Sequence, residues 1–241
     1  MNKAEQTEYK TDSKAEGEKG MERNIDMREV SDGRLYGLKD MVKADCGGCE
    51  GCSDCCESMG STIILDPFDV WRLTAGLKVS FEELLEDKLE LNVQEGIILP
   101  NMKTEGGDER CRFLNAEGRC SIHALRPGLC RIFPLGRYYE NRSFQYFLQV
   151  HECRKEPKQK VKVQKWIDTP DTKRNAQFIT DWHYFLKDVS ARLEDAESTE
   201  YQKMVNLYIL KTFYQKPWQT EQDFYGQFYK RLEEAKSILK I

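Results

Sequence analysis

The chain has 241 residues, enough for one generous domain or two small ones with a real hydrophobic core. Its 37 basic and 41 acidic residues leave a net charge of −4, so no global field draws it to nucleic acid or to an anionic membrane. The start lacks the segments of a signal peptide and no run of about 18 apolar residues could span a bilayer, so a cytoplasmic protein is expected.

Nine cysteines in a reducing compartment point to metal binding rather than disulfides, and an odd count fits complete pairing badly.

Residues 1 to about 34 alternate Lys or Arg with Asp or Glu and hold few large apolar side chains. Ordering them would cost entropy without burial in return, so a disordered charged tail is expected over 1–34. A metal-binding domain over 35–168 and a helical region over 169–241 are expected to follow.

The stretch CGGCEGCSDCCE, residues 46–57, sets Cys46, Cys49, Cys52 and Cys55 three apart, with Cys56 next to the last. Two intervening residues let a tight turn aim both sulfurs at one centre, and Gly47, Gly48 and Gly51 let the backbone wrap closely. Successive side chains diverge, so Cys55 and Cys56 are expected to serve different metal atoms or different centres. Cys46, Cys49, Cys52 and Cys56 satisfy the ferredoxin run C-x2-C-x2-C-x3-C, with Glu57 in place of its usual proline. The radical S-adenosylmethionine spacing is absent, because Met59 stands where its third cysteine would be.

After the cysteines the pattern predicts a short strand over 62–65. A helix follows with Asp66 as N-cap, Pro67 at its first position and Gly76 as its stop. Ser80 and Glu83 make the capping box of the next helix, whose buried stripe is Phe81, Leu84, Leu85 and Leu89. Residues 96–150 read as loops and strands: GIILP, a TEGGDE turn, and an aromatic hairpin turning at Glu140–Ser143. This part carries Cys111, Cys120 and Cys130, and Cys153 lies just beyond it.

RKEPKQKVKVQK, residues 154–165, has six basic residues and one acidic. Lys160 and Lys162 alternate with Val161 and Val163 and no stacking aromatic is interleaved, so a strand with one wet face is expected rather than a nucleic-acid patch. From about 170 onward the spacing turns helical. Phe178, Trp182, Phe185, Leu186, Val189 and Leu193 follow the start signal Thr169–Pro170. A second helix spans about 199–215, and a third carries Tyr225, Phe228, Leu232, Ala235 and Leu239. The expected fold class is α+β: a small irregular cysteine-rich region with short strands and helices, packed against a C-terminal helical bundle.

Thiolates do not separate iron–sulfur from zinc, and sites with four cysteine ligands are common for structural zinc. Dense sulfur without interleaved histidine favours iron, with a 4Fe–4S cluster placed ahead of zinc. His123 and His151 are assigned outer or structural roles, and His183 none. Arg126 and Arg131 bracket Cys130 and are candidate cofactor-binding residues that would offset the negative charge of a thiolate-bound centre, with Arg137 a weaker candidate. No Walker loop, GxSxG elbow or Rossmann fingerprint is present, and no catalytic residue is named.

CEGCSDCC, read with CRFLNAEGRCSIHALRPGLCRIFPLGR and the later HEC, resembles the CxxCxxCC cysteine-cluster family of YkgJ type, zinc- or iron-chelating proteins. The resemblance covers about residues 46–153. It implies metal ligands at Cys49, Cys52, Cys55, Cys56, Cys111, Cys120 and Cys130, with Cys153 closing the set and Cys46 outside the naming motif. It also implies a distant similarity to flagellin lysine N-methylases, and with it methyl-transfer chemistry beside redox chemistry. A zinc-stapled protein-interaction module without catalytic activity is the contrasting reading. Expected partners are metal ions and a protein partner or substrate, with no nucleic acid and no membrane. A thiolate site can contribute on the order of 10 kcal/mol, so folding and metal loading are expected to be coupled.

Overall fold

The computed structural model describes residues 26–47, 52–58, 60–107, 109–196 and 198–241. The expected tail up to residue 25 lies outside them, as do Gly48, Cys49, Gly51 and Met59.

Asp26 caps the short helix Met27–Val30 (α1), its carboxylate accepting from the Arg28 N–H at 2.8 Å. Ser31–Tyr36 (β1) follows directly. The expectation of a tail reaching residue 34 is therefore corrected from Asp26 on. What orders this stretch is long-range: Leu35 and Tyr36 pair with Phe147 and Tyr146, and Tyr36 is buried and donates its hydroxyl to Asp32. Met41–Asp45 (β2) alternates, with Val42 and Ala44 turned inward.

The expected strand at 62–65 is reduced to a single bridge, Ile64 to Asn101. Helix capping at Asp66 leaves it no room to extend. Pro67–Leu77 (α2) has the predicted start, with Asp66 accepting from the Asp69 N–H at 2.8 Å and Asp69 completing the box. It does not stop at Gly76 but runs one residue further, to a left-handed Lys78. The glycine serves packing instead, since a Cβ there would meet the Leu125 methyl at 2.5 Å. Phe81–Asp87 (α3) carries the predicted Ser80–Glu83 box. Leu89, expected on its stripe, opens a strand instead: Leu89–Gln94 (β3) pairs with Ile97–Met102 (β4) across Glu95 and Gly96, both at positive φ.

Thr104–Glu105 (β5) and Arg110–Cys111 (β6) form a minimal hairpin around the predicted turn. Gly128–Ile132 (α4) leads into Leu135–Glu140 (β7) and Ser143–Gln149 (β8). These two strands turn through Asn141 and Arg142, both left-handed, where the aromatic alternation predicts a hairpin. With β1 they make a three-stranded antiparallel sheet in the order β1, β8, β7. Gln159–Lys162 (β9) pairs with β2, Val161 inward and Lys160 and Lys162 exposed, as the alternation predicts. Val163–Ile167 (α5) follows.

Thr172–Glu194 (α6) is capped by Asp171, directly after the predicted signal, and buries every residue of the expected stripe. Thr199–Leu210 (α7) continues through a π-helical turn, Lys211–Gln215, to the predicted limit of the second helix. Phe224–Leu239 (α8) buries Tyr225, Phe228, Leu232, Ala235 and Leu239.

The architecture is α+β, with the C-terminal helices sharing one core with the segment that precedes them. Phe228 is fully buried and meets Phe178 edge to face at 4.6 Å. Leu65, Leu73, Phe81, Leu99, Cys111 and Phe113 join the same cluster. Each such leucine or phenylalanine contributes about 1.5–3 kcal/mol by leaving water. A second, smaller cluster gathers Val42, Ile132, Val161, Val163 and Ile167 beneath the β2–β9 pair. No helix among the described residues is long and apolar enough to cross a membrane.

Candidate metal centre

Most of the described cysteines sit on short, tightly held pieces of backbone. Cys55 and Cys56 lie on a 3-10 turn, Asp54–Cys56, closed by the Cys56 N–H on the Ser53 carbonyl at 2.7 Å. Cys111 ends β6 opposite Thr104. Cys120 bridges to Leu114 across a turn in which Gly118 is left-handed and the Asn115 side chain accepts from the Arg119 N–H at 2.7 Å. Cys130 is the central residue of α4. Cys46 follows β2 directly, and Cys153 precedes β9, with its carbonyl accepting from Lys158 Nζ at 2.7 Å. Pairing of Asp45 with Gln159 brings those last two segments together. None of the described cysteines is in a disulfide.

The thiols fall into two neighbourhoods. In the first, Cys55 and Cys56 share a hydrogen bond that raises the Cys56 thiol far above its ordinary value, with burial and the charges of Cys55, Cys120 and Cys111 adding to it. The same bond lowers Cys55 to about 7 against the opposing effect of burial, and the Arg126 guanidinium lowers it further. Burial raises Cys130 strongly, with Cys55, Cys111, Asp69 and Cys120 each adding repulsion. Cys111 and Cys120 are also raised, first by burial and then by thiols of this group. A cation shared among these sulfurs would favour their joint ionisation.

In the second neighbourhood burial raises Cys153, and Cys46 raises it further through charge and a hydrogen bond. Cys46, Cys52, Cys55 and Cys153 line one small cavity with Phe133 and Trp166 on its apolar side. Among the described residues, no three Cys, His, Asp or Glu side chains stand close enough, as placed, to hold an ion. The two groups are thus neighbourhoods rather than closed coordination spheres. Their donor chemistry, soft sulfur without histidine inside the set, suits zinc or iron.

The two candidate arginines sit differently. Arg126 is half-buried, and its charge favours the thiolates of both Cys55 and Cys120. Arg131 is buried and spends its guanidinium on the backbone carbonyls of Arg126, Ala124 and Asp168. Desolvation first, then repulsion by Arg72 and Arg126, lowers it to about 10. Arg137 lies near the Asp66 and Asp69 carboxylates and the Tyr139 and Tyr146 rings. His123 and His151 are exposed, and His183 stacks on Tyr139 at 3.6 Å.

Two residues of this region escape the sequence reading. Asp69 accepts the Gly128 N–H at 2.7 Å, fastening the start of α2 to the start of the helix that carries Cys130. Its partner Asp66, read only as a cap, is raised to about 6 by burial. The signal available in the sequence is a second aspartate at the third helical position, which completes a capping box but says nothing of a contact 59 residues away.

No curated protein and no solved structure matches the chain, so nothing further carries the similarity to flagellin lysine N-methylases. The family model "CxxCxxCC: Putative zinc- or iron-chelating domain" matches residues 48–169. That span is just over half of the chain and takes in every cysteine except Cys46. With the naming motif at Cys49, Cys52, Cys55 and Cys56 inside the match, the chain belongs to the CxxCxxCC zinc- or iron-chelating family.

Proposed function

We propose that this protein holds an iron–sulfur centre, of 4Fe–4S type, through its clustered cysteine thiolates, and that the centre serves redox chemistry. The observation that supports the reading is the mutual influence of thiols from two distant stretches, Cys55 and Cys56 on one side and Cys111, Cys120 and Cys130 on the other. When bound, such a cluster supplies one-electron transfer. The ligands are assigned to Cys46, Cys49, Cys52, Cys55, Cys56, Cys111, Cys120, Cys130 and Cys153. Arg126 offsets the negative charge of the thiolates it faces, whereas Arg131 supports it from behind by clamping the 124–131 loop. Residues 35–168 then form the metal-binding unit and 169–241 its helical support.

Zinc is the second reading, favoured by the same donor set, with the helical region as a partner-binding surface and no catalysis. Anaerobic purification from iron-replete cells, with metal analysis and an optical spectrum, tests the choice. A brown chain with iron, sulfide and broad visible absorption is the expected result. A colourless chain with stoichiometric zinc and no iron overturns the iron–sulfur reading.

A further inference from the structure

We infer that a small cavity between α2, α4 and α6 binds the carboxylate of a small organic acid, and that the missing side chain of Gly128 leaves it room. No thiol lines this cavity, so the inference does not rest on the metal reading.

Neither backbone nor packing calls for a glycine at this position. Gly128 opens α4 outside the left-handed region, where alanine is the better helix former. A Cβ there would lie 3.6 Å from Arg137 Nη2, 3.7 Å from Asp69 Oδ1 and 3.9 Å from Asp66 Oδ2, all ordinary contact distances. Three charged atoms thus converge on a spot that no side chain fills. Asp69 is only 3 % exposed and already accepts the Gly128 N–H. Arg137 Nε is buried with no hydrogen-bond partner among the described residues.

The lining selects the chemistry of the ligand. Arg72, Arg131 and Arg137 stand against Asp66 and Asp69, an excess of one positive charge. Arg72 and Arg131 donate to backbone carbonyls, which leave that charge uncancelled. Beyond the lining, Arg126 and Asp168 act on both of these arginines with opposite signs. An anion is therefore favoured over a cation. The Nε–Nη2 edge of Arg137 is a planar fork that pairs with a carboxylate through two parallel bonds. Phe68, Ile132 and Ile179 line the rest of the cavity, so the body of the ligand meets hydrocarbon. That suits an organic acid better than inorganic phosphate. An acid held here lies against the short helix that carries Cys130.

The test uses the full chain, reduced and oxygen-free, with its metal as purified. Formate, acetate, propionate, lactate and pyruvate are titrated singly at constant ionic strength and followed by ligand-observed saturation-transfer NMR. Phosphate and methylammonium serve as competitors. At least one acid is expected to bind saturably, with neither competitor displacing it. Gly128→Ala fills the spot with a methyl group and should weaken that acid by about tenfold or more. Arg137→Lys keeps the charge without the fork and should weaken it as well. If dichroism shows the lysine variant unfolded, Gly128→Ala alone decides. Saturable binding by none of the acids, unchanged affinity in Gly128→Ala, or displacement by phosphate overturns the inference. So does an unfolded Gly128→Ala chain, which would show that packing requires the glycine. Metal content is measured on the same samples, so loss of the acid site and loss of the metal centre are told apart.

Discussion

The Gly128 N–H donates to the Asp69 carboxylate across 2.7 Å, so the first turn of α2 and the first turn of α4 are joined at a buried point. Asp69→Ala removes that acceptor, leaves a buried donor unpaired and breaks the capping box. A loss of about 2–3 kcal/mol is expected. Asp69→Asn keeps an acceptor and should lose much less. Chemical denaturation of the two variants measures the difference, and equal losses would refute the bond's importance.

Burial raises Asp66 to about 6 from an ordinary 3.8. A carboxyl whose folded value is the higher one contributes most stability when protonated, and that contribution disappears as pH climbs through the interval between the two values. Asp66→Asn, which retains a capping oxygen, should therefore match the parent near pH 4 and become relatively more stable by up to about 3 kcal/mol above pH 6. The readout is the urea midpoint of both chains, metal-free and reduced, across that range. A constant offset would refute the prediction.

The thiol of Cys55 is held near 7, first by its hydrogen bond with Cys56 and to a smaller extent by Arg126. In the metal-free chain, Cys56→Ala should shift the pH midpoint of Cys55 alkylation upward by more than Arg126→Ala does. Peptide mapping after timed alkylation distinguishes the two. The reverse order would show that charge, not the neighbouring sulfur, governs this thiol.

Asn206 is buried and serves the β3–β4 hairpin from α7. Its Oδ1 accepts the Ile98 N–H at 2.6 Å, and its Nδ2 donates to the Gly96 carbonyl at 3.0 Å. Asn206→Ala strands both backbone groups and should cost about 3 kcal/mol. Asn206→Asp keeps one bond and should fall between that variant and the parent. Thermal melts of the three chains check the order.

What the sequence discloses here is local. Spacing among Cys46, Cys49, Cys52, Cys55 and Cys56 exposes a thiol cluster because the ligands are neighbours along the chain. The Ser80–Glu83 box, the Asn141–Arg142 turn and the stripes of α6 and α8 are legible for the same reason. What stays hidden depends on distant partners. Leu89 satisfies a helical stripe but is claimed by Met102 across a hairpin. Ser31–Tyr36 has a tail's composition and is ordered by β8. Gly76 looks like punctuation until Leu125 arrives beside it. The grouping of the sulfurs is of this kind too, since nothing in the order of cysteines says that Cys153 meets Cys46 rather than Cys130.

Phe178, Phe213 and Phe228 pack in the large core, and Cys111 is buried in the same cluster. Small zinc modules lose their shape when stripped of metal because the ion is most of what holds them together. Here Cys111 shares a core with the C-terminal helices, so hydrocarbon packing and thiolate–metal bonds would act on different parts of one chain. Withholding metal should therefore loosen the cysteine-bearing segments more than the helices.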